Sequence, residues 1–431
     1  MTGVRVLLVS TYDLGRQPFG LASTAAYLQQ AGVEVQCVDT SREKLTDESI
    51  ASARCVAFYL PMHTATRLAS PLIDRVRRLN ADATLAAYGL YAPINDTWLR
   101  SKGVAHVLGA EGEEGLVGLV TGSDPVHGTT QGVASRRRGG PTPQRAGLLP
   151  LAKYAALQLP DGSRRVVGST DATRGCKHLC RHCPIVPVYQ GRFTAIAVDT
   201  VLDDVRQQVQ AGAEHITFGD PDFFNGPTHA RRIVERLAAE FPGITYDATI
   251  KIEHILQHRS MLPLLAGSGC LFITSAVESI DDEVLRHLAK GHTRADFVAA
   301  VHLCRQAGIV LAPTFVPFTP WTTLEAYDEL LQTLDGLELL HEVAPIQLAI
   351  RLLITNGSPL LELSDIQAVI SGFDPASLTW PWRHRDARVD ALQQAVMRDV
   401  MAKSKAPRPV PHMTEAWYCC AEPSPEDMRL I

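Results

Sequence analysis

Two stretches of this chain alternate short apolar runs with helix-like segments, and this alternation restricts the fold more than any other feature. In the first, residues 4–9, 33–38, 55–60, 84–88 and 106–108 read as strands, and the helical segment 21–31 stops at Gly32. Strands separated by helices run parallel, with helices on both faces, so residues 1–122 read as an α/β, doubly wound parallel sheet. Such sheets bind ligands beyond the carboxyl ends of their strands. Those ends are residues 11–19, 61–63, 89–93 and 109–114.

The second stretch, residues 166–352, repeats the pattern. Strands are expected at 166–170, 215–218, 245–250, 271–276, 309–316 and 345–352. Thr200 reads as the cap of a helix whose apolar positions Val201, Val205 and Val209 recur every four residues before Gly212. Ser279-Ile-Asp-Asp282 reads as a capping box, and Thr293 as the cap of a helix ending at Gly308. Six parallel strands with outer helices make a partial (β/α)6 barrel, whose working groups belong at the C-terminal strand ends. Residues 123–165 read as a linker, rich at first in Gly, Ser, Thr, Pro and Arg and carrying Arg136-Arg137-Arg138. Residues 353–431 form a C-terminal region.

Composition narrows the function. A net charge of −5 gives no reason to expect a nucleic-acid surface. No apolar run approaches the roughly 20 residues that span a bilayer. The opening apolar run fits a buried strand better than a signal peptide, so a cytoplasmic protein without a membrane partner is expected. In that compartment nine cysteines are ligands, nucleophiles or core residues before they are disulfides. Cys37, Cys55 and Cys270 lie in apolar or strand-like runs and Cys304 shares a helical stripe with Phe297 and Val301, so all four read as core.

Cys176, Cys180 and Cys183 remain, spaced C-x3-C-x2-C in Arg174-Gly-Cys-Lys-His-Leu-Cys-Arg-His-Cys183, together with Cys419-Cys420 near the C-terminus. Three thiolates hold an iron–sulfur cube with one iron left open. With His178 or His182 they would instead complete a tetrahedral zinc site, although no second Cys/His pair lies nearby in sequence. Chance clustering is the third reading.

The triad resembles the cluster loop of the radical S-adenosylmethionine (SAM) superfamily. That resemblance, over about residues 166–352, implies a [4Fe–4S] cluster on Cys176, Cys180 and Cys183, with SAM chelating the open iron. It implies His182 near the adenine, and Gly219-Asp220-Pro221 receiving the SAM ammonium. It also implies Ala276-Val-Glu278-Ser279 at the ribose, Lys290 at the methionine carboxylate, Lys251 facing the site, and apolar surface including Phe315 beside the adenine. Gln347 and Arg351 are expected to reach the substrate. Helix capping by Asp220, and a dipole-complementing role for Lys290, are the plainer readings. The N-terminal stretch resembles the cobalamin-binding domain that precedes many radical SAM domains, through Pro18-Phe-Gly-Leu21, Tyr88-Gly-Leu-Tyr-Ala-Pro93 and Gly109-Ala-Glu-Gly-Glu113. It departs in the first loop, Ser10-Thr-Tyr-Asp-Leu-Gly-Arg16, which lacks the Asp-x-His-x-x-Gly pattern with the cobalt-ligating histidine.

Neighbouring residues on a strand face opposite sides, so Cys419 and Cys420 cannot both enter one core from a strand. They read as a chelating pair, a vicinal disulfide, a reactive thiolate or an idle tail. Cys419-Cys-Ala-Glu-Pro423 resembles the CUAEP/CCAEP-tail radical SAM (seleno)proteins, in some of which selenocysteine stands at the position of Cys420. This resemblance implies chemistry at Cys419 and Cys420. The expectation is an enzyme that cleaves SAM reductively to a 5′-deoxyadenosyl radical acting on a small-molecule substrate, with an electron donor such as flavodoxin or ferredoxin. Transfer of the 3-amino-3-carboxypropyl group to a thiophilic acceptor, cobalamin-dependent methylation, and a non-enzymatic metal or redox sensor are the alternatives.

Overall fold

The computed structural model describes residues 5–123 and 139–403. Arg136-Arg137-Arg138 and the pair Cys419-Cys420 lie outside the described residues. The N-terminal sheet has strands β1 (Arg5–Ser10), β2 (Glu34–Asp39), β3 (Cys55–Tyr59), β4 (Thr84–Tyr88) and β5 (His106–Val107). They run parallel in the order β2-β1-β3-β4-β5. Alternation along β1 explains its unbroken apolar run. Val6 and Leu8 pack with Leu21, Ala25 and Leu28 of one helix, while Leu7 and Val9 pack on the opposite face with Ile73 and Val76. The strand order reverses between β1 and β3, which marks the crevice where such sheets take ligands.

The second sheet contains β6 (Ala156–Gln158), β7 (Arg164–Thr170), β10 (His215–Phe218), β11 (Thr245–Thr249), β12 (Cys270–Glu278) and β13 (Val310–Phe315). A separate antiparallel pair, β8 (Thr173–Gly175) and β9 (Phe193–Ala195), brackets the cysteine loop. The order is β13-β12-β11-β10-β7-β6, with five strands parallel and β6 antiparallel to β7. Ile216, Phe218, Tyr246, Ala248, Ile273, Leu311 and Phe315 turn outward into one core under the helices. The opposite face is more polar. There His215 Nε2 lies 2.9 Å from Asp247 Oδ1, which also accepts the Thr217 hydroxyl at 2.6 Å.

Several local expectations need correction. The sixth strand is not at 345–352, since Pro345–Leu348 is a short 3-10 turn with one parallel bridge, Phe318 to Arg351, beyond it. Proline lacks the N–H that a ladder needs. The Gln347 carboxamide accepts the Phe315 N–H at 3.1 Å instead of a strand carbonyl. The sixth strand is β6, a hairpin partner of β7 taken from the segment read as linker. The helix assigned a cap at Thr200 starts at Val198, and the Thr200 hydroxyl reaches the Gly140 carbonyl at 3.3 Å. Asp281 caps the helix Asp282–His287, while Ser279 Oγ accepts the Asp281 N–H at 3.0 Å. Thr293 and Asp296 form the capping box of helix Arg294–Gln306.

The two sheets are joined through buried polar contacts. Arg145 donates to both carboxylate oxygens of Asp204 at 2.9 and 2.7 Å, to Gln17 Oε1 at 2.9 Å and to the Ser169 carbonyl at 2.7 Å. Arg174 Nη1 lies 2.5 Å from Glu113 Oε1, and Arg174 Nη2 lies 3.0 Å from Ser23 Oγ. The loop after β1 and the loop after β5 are thereby tied to the barrel beside its cysteine loop. Among the described residues no helix is long and apolar enough to cross a membrane.

Candidate active site

The cysteine loop leaves the C-terminal end of β7 through β8. Gly175 adopts φ +80°, and a Cβ there would meet Tyr189 Cδ1 at 2.3 Å and the Arg192 carbonyl at 2.6 Å, so glycine alone fits. The loop is pinned from three directions. Buried Asn225 donates to the Gly175 carbonyl at 3.0 Å and accepts the Lys177 N–H at 3.2 Å. The Arg181 N–H reaches the Leu288 carbonyl at 2.9 Å, and Ser358 Oγ donates to the Arg181 carbonyl at 3.0 Å. Cys176 and Cys180 are buried and Cys183 is half-buried. The Cys183 N–H bonds the Cys180 carbonyl at 3.1 Å, so these two cysteines share one turn. Burial pushes the Cys176 thiol up to about 11 and the Cys183 thiol up to about 12. Thiols in that range become ligands only when a metal centre displaces their protons.

Facing them is a buried charged set at the ends of β11, β12 and the following helix. Glu278 Oε1 lies 3.0 Å from His182 Nε2 and 3.5 Å from Lys290 Nζ. Burial alone would raise the Glu278 carboxyl, but Lys290 and His182 outweigh it and hold it at about 2. Glu278 also has φ +71°, at an irregularity between β12 and β13, a left-handed conformation that costs a side-chain-bearing residue about 1–3 kcal/mol. Buried Lys251 lies 3.4 Å from Glu253 Oε2. His292 is buried beside these lysines, and burial, then Lys290 and Lys251, lower it to about 4.

Other expected site residues are engaged elsewhere. Asp220 accepts the Ala172 N–H at 2.9 Å and the Thr173 hydroxyl at 2.6 Å, so its carboxylate braces the entry to the cysteine loop. Burial, then Asp171, pushes it up to about 7. Gly219 passes Asp171 so closely that a Cβ would meet Oδ1 at 2.5 Å, and Pro221 follows as the chain turns. The Phe315 ring is fully buried against Phe297 in the outer core, so Ala312 rather than Phe315 offers apolar surface on the inner face. Arg351 bonds Asp390 Oδ1 at 2.6 Å and the Trp382 carbonyl at 2.7 Å, with its guanidinium 3.5 Å from the Trp382 ring centroid. It therefore fastens the C-terminal helix.

Sequence reasoning missed His292, Asn225, and the buried histidine His254 near the loop. His292 stood in view within Lys290-Gly-His-Thr293, and His254 and His258 are spaced to share a helix face. Nothing local marked Asn225, whose role arises from a fold contact 48 to 50 residues distant in sequence.

Residues 171–334 match the family model for the radical SAM superfamily. This part of the chain is thus similar to radical SAM domains, and it holds the cysteine loop and the strands from β8 to β13. The tRNA-2-methylthio-N(6)-dimethylallyladenosine synthase of Desulfosudis oleivorans is 30% identical over 193 residues, covering 42% of this chain and 40% of that protein. The chain thus spans well under two thirds of that relative's length. Among solved structures, the cobalamin-dependent SAM radical enzyme OxsB with aqua-cobalamin bound covers 95% of this chain and 70% of its own, with TM-score 0.70 and 15% identity. The radical SAM methyltransferase TsrM from Kitasatospora setae covers 78% and 71%, with TM-score 0.63 and 20% identity. These two likenesses establish the fold: a parallel five-stranded sheet joined to a curled half-barrel.

Proposed function

We propose that this protein binds a [4Fe–4S] cluster on Cys176, Cys180 and Cys183 and cleaves SAM reductively to start radical chemistry on a small molecule. The observation that carries this reading is the three-cysteine loop leaving the C-terminal end of β7, with the Glu278–Lys290–His182 set at the same end of the parallel strands. The donor set fits both groups. Three thiolates without a fourth cysteine in the described surroundings suit a cube with one open iron. A cluster held there supplies the electron that breaks a carbon–sulfur bond of SAM.

The protein's own part is orientation. Lys290 and Lys251 offer ammonium groups to a carboxylate, and Glu278 offers a carboxylate to the SAM ammonium or ribose hydroxyls. Burial of these groups strengthens the pairing and keeps water from the reacting carbon. Asn225 and Asp220 act one layer back, holding the loop that positions the thiols. Cys419 and Cys420, as the resemblance to the CCAEP-tail proteins implies, would bring a soft nucleophile or donor to the substrate. The test is iron and sulfide analysis with electron paramagnetic resonance of the anaerobically reconstituted, reduced protein. The reading expects about four irons per chain and a signal that SAM perturbs. Zinc without iron or sulfide, or the same iron content in Cys180→Ser, would overturn it.

A second reading is favoured by the likeness to cobalamin-bound OxsB and to the methyltransferase TsrM: cobalamin held at the C-terminal edge of the N-terminal sheet, serving methyl transfer. That edge lies beside the cysteine loop, where the turn Tyr91–Ile94 packs near Val186–Tyr189. Its first loop offers no histidine, so a corrinoid there would lack an imidazole ligand from residues 10–16. Titration with hydroxocobalamin separates the readings, since a saturable spectral change supports this one and its absence removes it.

A further inference from the structure

Beside the cluster loop, three side chains from three separate elements converge. His178 comes from between Cys176 and Cys180, Asp222 from the turn after β10, and His254 from the helix Ile252–Gln257 after β11. Their ligand atoms all lie within 4.8 Å of one another. His178 Nε2 is 3.5 Å from Asp222 Oδ2 and 3.2 Å from His254 Nε2, while His254 Nδ1 is 2.6 Å from Asp222 Oδ2. Asp222 and His254 are 0% and 1% exposed, and Asp222 Oδ2 and His254 Nδ1 are paired with each other at 2.6 Å but outside hydrogen-bond angles. Buried polar atoms left this way are uncommon and call for an ion or a strained contact to explain them.

The surroundings are arranged for a ligand set. Asp222 Oδ1 is fixed by the Phe224 N–H at 3.1 Å, which leaves Oδ2 directed at the imidazoles. The far nitrogen of His178, Nδ1, lies 3.6 Å from Glu253 Oε2, the kind of carboxylate that orients a metal-bound histidine from outside. Glu253 is itself 3.4 Å from Lys251 Nζ.

We propose that His178, Asp222 and His254 form a second metal site, separate from the cysteine triad, for a divalent transition ion of zinc type. Two imidazoles and one carboxylate suit such an ion and leave a position open. The ion ties the cysteine loop to the ends of β10 and β11, so it acts as a clamp on the loop that presents the three thiols. Binding uses the lone pairs of neutral imidazoles and involves no redox step. The proposal does not depend on SAM chemistry.

The experiment uses the anaerobically reconstituted full chain, whose cluster saturates the three cysteines, titrated with Co2+ as a spectroscopic probe. One equivalent is expected, with visible d–d bands and no thiolate-to-cobalt charge-transfer band. Asp222→Asn keeps the Oδ1 acceptor for the Phe224 N–H, and it is expected to weaken Co2+ binding beyond the ~10–100-fold cost of losing an outer partner. His254→Gln should do the same, while Glu253→Gln should fall within that outer-partner range. A thiolate charge-transfer band, unchanged binding in both Asp222→Asn and His254→Gln, or no saturable binding to the unsubstituted protein would each overturn the proposal. Because iron and sulfide are assayed in the same samples, loss of this site is distinguishable from loss of the cluster.

Discussion

Glu278 combines a left-handed backbone, a buried carboxylate and two basic neighbours. Replacing it by Gln leaves Lys290 buried without its counter-charge, which should cost about 3–5 kcal/mol of unfolding free energy. Adding Lys290→Met should recover part of that loss, so a double-mutant cycle by urea denaturation should show a favourable coupling between the two residues. Strict additivity would mean that they do not interact. His292 gives a pH signature. Its folded value is lowered from the ordinary 6.5 to about 4, so the unfolded chain binds a proton first as pH falls. Its contribution is therefore fully present above 6.5 and lost on acidification from 6.5 to about 4. At about 1.4 kcal/mol per pH unit the loss is about 3 kcal/mol. Thermal melts of the metal-free protein should fall over this window for wild type and less steeply for His292→Gln. Parallel profiles would contradict the assignment.

The elements that carry the site are held by contacts distant in sequence. Asn225→Ala removes both bonds to the cysteine loop and leaves the Gly175 carbonyl and Lys177 N–H unmatched, at roughly 1–3 kcal/mol for each group left buried. Iron retained after reconstitution should drop in this variant, while far-ultraviolet circular dichroism stays native. Full iron retention would show that the loop holds itself. The strands were legible where apolar periodicity was strong. The first five barrel strands and the five of the N-terminal sheet lie close to where alternation places them. Reading 345–352 as a strand failed because a proline and a glutamine side chain took over the edge hydrogen bonding. β6 was missed because three residues are too few to show a period, and its register is set by its hairpin with β7. Among the candidate site residues, the grouping of the three cysteines on one loop was legible from spacing alone. The contacts of Asp220, Phe315 and Arg351 were not, because each depends on which way a side chain turns within an assembled fold.

For the whole molecule, the join between sheet and barrel rests on Arg145, whose guanidinium is shared between Gln17, Ser169 and Asp204. Arg145→Met should leave Asp204 buried without its partner and cost about 3–5 kcal/mol. Limited proteolysis should then cut between the two sheets before either is lost, whereas a single cooperative loss would contradict this. The same join sets the distance between the cluster loop and the C-terminal edge of the N-terminal sheet, and so bears on either reading of the N-terminal domain.

Reductive cleavage of SAM on Cys176, Cys180 and Cys183 is the central proposed activity. The direct measurement incubates the reconstituted protein with SAM and a strong reductant without oxygen, and identifies the released nucleoside by mass spectrometry. 5′-Deoxyadenosine, formed by the wild type and absent with Cys176→Ala, is the predicted result. SAM recovered intact, or cleaved equally by Cys176→Ala, would contradict the account.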